Sequence, residues 1–174
     1  EGSAAIPMII KTPKDVEGVH CRGKVIENPV ELRDILPTFL DAAGGETPEA
    51  MDGRSMLKLI QEENPQWRRW IDMEHATCYS EENYWCALTD GKIKYIWFLR
   101  TGEEQLFDLV KDPHETVNQI TNRKYRKQTD ELRRAMAEHL SERGDKWVKD
   151  GQLQKREKTL LYSPNYPSGL STKK

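Results

Sequence analysis

The strongest constraint on how this chain folds lies between Tyr84 and Asn118. There two aromatic-rich runs flank Thr89-Asp90-Gly91, and a third short apolar run follows a polar turn at Thr101-Gly102-Glu103. Asp-Gly between alternating apolar residues is a hairpin signal, because a type I′ turn needs positive φ at both central positions. The order predicts a small antiparallel meander. On its second strand Ile93, Tyr95, Trp97 and Leu99 share one face and Lys92, Lys94, Ile96 and Phe98 the other, so one face is apolar throughout. The third strand is expected from Gln105 to Leu109. It runs into Lys111 to Glu115, where Asp112 reads as a helix cap, Pro113 as the first helical residue and Glu115 as the end of a capping box.

Hydrophobic spacing places the other elements. Ile6 to Ile10 is a continuous apolar run of the kind found in a strand covered on both faces, and a short strand is expected at Lys24 to Ile26. Val30 to Ala43 carries Leu32, Ile35, Leu36, Phe39 and Leu40 at helical spacing, with Pro37 expected to kink or divide the helix and Gly44-Gly45 to end it. Met56 to Ile60 reads as a short helix, and Trp67 to His75 as an Arg-rich approach to a strand. Tyr125 to Arg143 reads as a long charged helix with Leu132, Met136, His139 and Leu140 as its stripe, closed at Gly144. From Gly151 the chain is polar apart from Leu160-Leu161-Tyr162.

Partners cannot be read from bulk charge. The net charge of −2 lacks the clustered basic excess of a nucleic-acid footprint, and no apolar run approaches the roughly 18 residues of a membrane span. At 32% charged and 36% hydrophobic the chain is lean, so its five Trp and six Tyr must carry much of the core. Cys21, Cys78 and Cys86 lack metal-ligand spacing and read as buried free thiols. The start at Glu1-Gly2-Ser3, without Met, is read as that of a fragment or a processed product.

Several segments carry a family likeness. LTDGKIKYIWF (88–98), EQLFDL (104–109), DPHETVN (112–118), ELRDILPTFLDAAG (31–44), DGRSML (52–57) and EGSAAIPMII (1–10) resemble the C-terminal portion of the sulfatase family, bacterial arylsulfatase-like members in particular. The likeness covers most of residues 1 to 120 and departs at Ala4-Ala5, where the family often has a polar residue. It implies an α/β to α+β chain, the C-terminal part of an alkaline-phosphatase-like fold, with a small antiparallel sheet packed by a long helix. The expected division is 1–66 as the end of the main α/β domain, 67–150 as the sheet-and-helix subdomain and 151–174 as a polar tail. It also implies that the missing N-terminal part of the same enzyme is the main partner, and that the location is periplasmic or secreted.

A sulfate-ester hydrolase needs a nucleophile, a divalent metal and cations around the developing charge. In the resembling family these are a formylglycine, made from a Cys/Ser-x-Pro-x-Arg motif, and calcium. No such motif occurs here: Cys21 precedes Arg22-Gly23, Cys78 precedes Tyr79-Ser80, and Cys86 precedes Ala87-Leu88. No catalytic or metal residue is therefore assigned to this chain, which alone is expected to be inactive. The resemblance puts the end of the Trp67–His75 strand at the mouth of the active site, so Glu74 and His75 are the substrate-binding candidates, for a sulfated carbohydrate or an aryl sulfate. A satisfied pair at a strand end is the competing reading. Trp85 and Trp97 suit either sugar stacking or core packing, the Arg68-Arg69 pair either an anionic polysaccharide or a wet edge, and His114 and His139 read as solvated. The rival functions are a phosphodiesterase or phosphonate hydrolase on the same scaffold, and a non-catalytic α+β module that binds protein or glycan.

Overall fold

The computed structural model describes residues 4–14, 18–19, 21–75, 80 and 82–157. It divides into two compact units: Glu1–Ile71 with Thr89–Ile93 and Asp108–Thr116, and Asp72–Leu88 with Lys94–Phe107 and Val117–Lys174. Cys78 and Leu160-Leu161-Tyr162 lie outside the described residues.

In the first unit a 3₁₀ turn at Leu32–Asp34 runs into helix α1 (Ile35–Ala42). Pro37 falls in the first turn of α1, where backbone N–H groups have no acceptor within the helix. The proline therefore marks the change from 3₁₀ to α rather than a kink. On one face of this helix Asp34, Thr38 and Asp41 follow the i, i+4, i+7 spacing, and each grips the turn that leads to helix α2 (Leu57–Gln61). Arg54 N–H donates to Asp34 Oδ1 at 2.8 Å, Met56 N–H donates to Thr38 Oγ1 at 2.9 Å, and Ser55 Oγ donates to Asp41 Oδ2. Asp34 is fully buried and also accepts Glu31 N–H and both Nη atoms of Arg68, each of these at 2.6 Å. Four donors thus fill the four lone-pair positions of one carboxylate.

The strands expected at Ile6–Ile10 and Lys24–Ile26 are not formed. A strand is held by a neighbour's backbone groups, and among the described residues these runs have no such neighbour. They border a groove of about 540 Å³ lined by Met8, Ile10, Val25, Ile26, Val30 and Ile60, and leave Ile9 90% and Val25 91% exposed. Leu36 and Phe39 of α1 are exposed as well. This unit carries an apolar face that its own described residues do not cover.

The meander is present as a four-stranded antiparallel sheet in the order β1 (Ile71–His75), β2 (Trp85–Thr89), β3 (Ile93–Phe98), β4 (Glu104–Asp108). Its β2–β3 turn is not type I′. Gly91 has φ 83°, but Asp90 is not among the positive-φ residues; its Oδ1 instead accepts the N–H of Lys92 and Ile93, which lengthens the loop by one residue. The helix expected from Asp112 is also absent. Glu115 turns out of the helical region at φ 56°, and the Asp112 carboxylate accepts the Thr116 hydroxyl. Asn118 then closes the β4 edge, its Oδ1 accepting Leu106 N–H and its Nδ2 donating to Glu104 O.

In the second unit helix α3 (Arg126–Ser141) follows a 3₁₀ turn at Arg123–Tyr125 and buries Leu132, Met136 and Leu140. Tyr95, Trp97 and Leu99 are buried as their strand face predicts. The main polar tie is Glu104, which takes a bidentate Arg133 at 2.7 and 2.9 Å and the Tyr95 hydroxyl. A hairpin unread in the sequence, β5 (Val148–Lys149) and β6 (Gln152–Leu153), follows α3. There both Asp150 (φ 51°) and Gly151 (φ 72°) take the left-handed geometry that had been expected at Asp90-Gly91.

Burial alone would raise the Asp34 and Glu104 pKa values, but Arg68 and the Arg54 and Glu31 amides outweigh it at Asp34, and Arg133 and Tyr95 at Glu104. Both carboxyls are held below their ordinary values of 3.8 and 4.5. The stability they contribute is complete above those values and is lost as pH falls through the lowered folded-state ones. Urea midpoints are expected to drop between about pH 6 and about pH 3, and Glu104→Gln to flatten that drop.

Candidate functional site

Strand β1 carries both residues singled out at its end, and alternation sends them to opposite faces. Asp72 and Glu74 share the α3 face. Glu74 Oε2 pairs with Arg143 at 2.9 Å, its Oε1 accepts the Tyr84 hydroxyl at 3.0 Å, and Asp72 Oδ2 lies 3.8 Å from His139 Nε2. His139 and Arg143 stand one turn apart, which is why one strand face meets both. His139 is half-buried beside a carboxylate rather than solvated, whereas His114 is exposed, in a turn.

His75 points to the other face. Its Nδ1 lies 2.8 Å from Asn83 O, and its ring stacks on Trp85 with centroids 5.4 Å apart and planes 15° apart. A carbonyl only accepts, so Nδ1 carries the proton and Nε2 is left to accept when the ring is neutral or donate when it is charged. Trp85 is half-buried beneath this ring, whereas Trp97 is only 8% exposed and belongs to the core. Arg68 is committed to Asp34 and Glu31, while Arg69 lies over the Trp70 ring at 4.4 Å.

The Glu74 surroundings extend further than the sequence reading reached. Arg143 lies over the Trp147 ring at 4.6 Å, Arg156 over the same ring at 4.8 Å, and Tyr84 meets Trp147 edge-on at 6.3 Å. Burial, with the Glu74 carboxylate, raises the Tyr84 pKa and pushes the Cys86 thiol up to about 12. Cys86 is therefore a protonated, buried thiol without nucleophilic character. The period-2 order of Asp72, Met73, Glu74 and His75 is the signal that separates the two candidates; Arg143, Tyr84 and Trp147 left no such signal. Among the described residues no group of three or more His, Cys, Asp or Glu side chains is placed to hold a metal ion.

A family model described as N-sulphoglucosamine sulphohydrolase, C-terminal, matches residues 1–142. The chain belongs to the sulfatase family. It matches that family's C-terminal portion, with the small antiparallel sheet and long helix of alkaline-phosphatase-like sulfatases. An arylsulfatase of Clostridium perfringens is 38% identical over 155 residues, 89% of this chain and 31% of that protein. The sulfatase BT4656, solved with its substrate D-glucosamine-2-N,6-O-disulfate, superposes with a TM-score of 0.56 at 26% identity over 64% of this chain and 24% of that one. The phosphonate monoester hydrolase SpPMH from Silicibacter pomeroyi shares the fold, with a TM-score of 0.55 at 22% identity over 81% of this chain and 31% of that one. This sulfatase domain spans about a third of the length of the curated relatives that it matches most strongly.

Proposed function

We propose that this domain shapes the substrate cleft of a larger enzyme that hydrolyses sulfate esters, with a sulfated carbohydrate as the substrate class. The observation that carries this reading is the match of residues 1–142 to the sulfatase C-terminal family. Likeness to BT4656, whose bound substrate is a sulfated amino sugar, supports the carbohydrate class. The exposed apolar face of α1 and residues 6–10 and 25–26 supports a division in which residues 1–66 complete the main domain, 67–150 form the subdomain and 151–174 a polar tail. In this reading the remainder of the enzyme covers that face and supplies the formylglycine and the calcium, for which the described residues of this chain offer no ligand set.

His75 is the proposed substrate contact, and Glu74 serves at one remove. A ring held by a carbonyl on one edge and an indole on one face presents Nε2 to a sugar hydroxyl or sulfate oxygen at little entropic cost. The test is His75→Ala in the full-length enzyme. The kcat/KM for D-glucosamine-2-N,6-O-disulfate is expected to fall about tenfold while p-nitrophenyl sulfate, which lacks the sugar, is turned over as before. Equal turnover of the sugar by the variant overturns the assignment of His75. Metal-dependent sulfatase activity in the isolated 174-residue chain overturns the wider reading.

A further inference from the structure

Glu74 spends its carboxylate on the α3 side of β1, and the chemistry that holds it is built from three separate parts of the chain. Tyr84 comes from the residue before β2, Arg143 from just past the end of α3, and Trp147 from the approach to β5. Arg143 is shared between the carboxylate at 2.9 Å and the Trp147 ring at 4.6 Å, while Trp147 is met by Arg156 and by the edge of Tyr84. A guanidinium is planar and suits both a carboxylate and an aromatic face at once, which an ammonium does not. Both partners of the pair are about one-third exposed, so the pair holds geometry more than it adds stability.

We propose that Arg143 is a positioning residue for His75, acting through Glu74. The inference rests on the reading of His75 as the substrate contact. Consecutive strand residues share one peptide plane, so anchoring the Glu74 side chain on one face limits displacement of the backbone from which the His75 side chain projects on the other. From the opposite face, Asn83 O and Trp85 hold the imidazole ring itself. His75 is therefore restrained from both sides of the sheet. Loss of the Arg143 restraint frees the strand end and lets Nε2 drift from the position that meets substrate.

The test is a double-mutant cycle on kcat/KM for D-glucosamine-2-N,6-O-disulfate in the full-length enzyme. Arg143→Met is expected to lower it about fivefold, mainly through KM, and Tyr84→Phe about twofold, since small displacements of a contacting group are costly. Arg143→Lys keeps the charge but loses the fork and the stack, and is expected to recover only part of the loss. In the His75→Ala background neither Arg143→Met nor Tyr84→Phe should lower the value further, because the group through which they act is gone. Effects that add in full, or an Arg143→Met variant with unchanged kinetics, overturn the proposal while leaving His75 as a contact. No effect of His75→Ala by itself overturns the underlying assignment instead, so the two failures are distinguishable. If Arg143→Met does not fold, the Tyr84→Phe arm of the cycle decides, since it removes a hydroxyl and no charge.

Discussion

Gly53→Ala is expected to destabilise the protein by about 3 kcal/mol, far more than its chemistry suggests, because an added methyl group has no room. A Cβ at this position would stand 1.9 Å from Arg33 O, 2.5 Å from Arg33 C and 3.2 Å from Asp34 N. All three are backbone atoms, so no side chain can swing aside. Relief requires the turn at residues 53–56 to lift from the 3₁₀ turn at Leu32–Asp34, and the bonds to Asp34, Thr38 and Asp41 hold that same turn down. Gly45→Ala is the matched control, since its Cβ would meet Leu40 O at 3.3 Å, a contact that a few tenths of an ångström relieve. Chemical denaturation of the two variants should separate them by at least about 2 kcal/mol, and equal midpoints would show that the turn is not seated as described.

Asp34→Ala is expected to cost about 3 to 5 kcal/mol, because it removes one partner of a buried ion pair and strands the other. The Arg68 side chain is 11% exposed and would lose both its 2.6 Å contacts, retaining Glu31 at 3.2 Å. The Glu31 and Arg54 amides would lose their acceptor at the same time. Asp34→Leu combined with Arg68→Met replaces the pair with apolar bulk and should restore part of the loss, leaving the two amides as the residual cost. A double variant no more stable than Asp34→Ala would mean that the amides, and not the guanidinium, need this carboxylate. Measured by urea titration at neutral pH, the cycle separates the two contributions.

The elements that the sequence disclosed are those whose signal is local and periodic. The apolar face Ile93, Tyr95, Trp97, Leu99 and the stripe Leu132, Met136, Leu140 repeat at the spacing of strand and helix, and all but the half-buried Ile93 end in the core. The expectations that failed depend on partners that local pattern does not name. Ile6–Ile10 has the composition of a covered strand yet forms none, because hydrogen-bonding neighbours make a strand and composition does not. Asp112-Pro113 has the residues of a helix start, but the chain turns away at Glu115. Of the two Asp-Gly pairs, the one in the expected hairpin took a longer loop, and the one at Asp150-Gly151 took the tight turn. In the candidate site, the alternation that divides Glu74 from His75 was present in the sequence. The residues that hold Glu74 were not legible there, because Tyr84, Arg143 and Trp147 are brought together only by the packing of α3 and the β5 hairpin on the sheet.

By itself, then, the order of residues determined the four-stranded meander and the helices α1, α2 and α3, which of their faces are apolar, and that the chain carries the motifs of a sulfatase C-terminal domain. Tertiary structure alone decided what each charged motif residue does. Asp34, Thr38 and Asp41 became acceptors for a turn some fifteen to twenty residues further on, Glu104 the partner of Arg133, and Glu74 the partner of Arg143. The physical reason is range. Hydrophobic periodicity repeats within a few residues of itself, whereas a buried charge must be satisfied by whichever donor the completed fold delivers, at whatever separation along the chain.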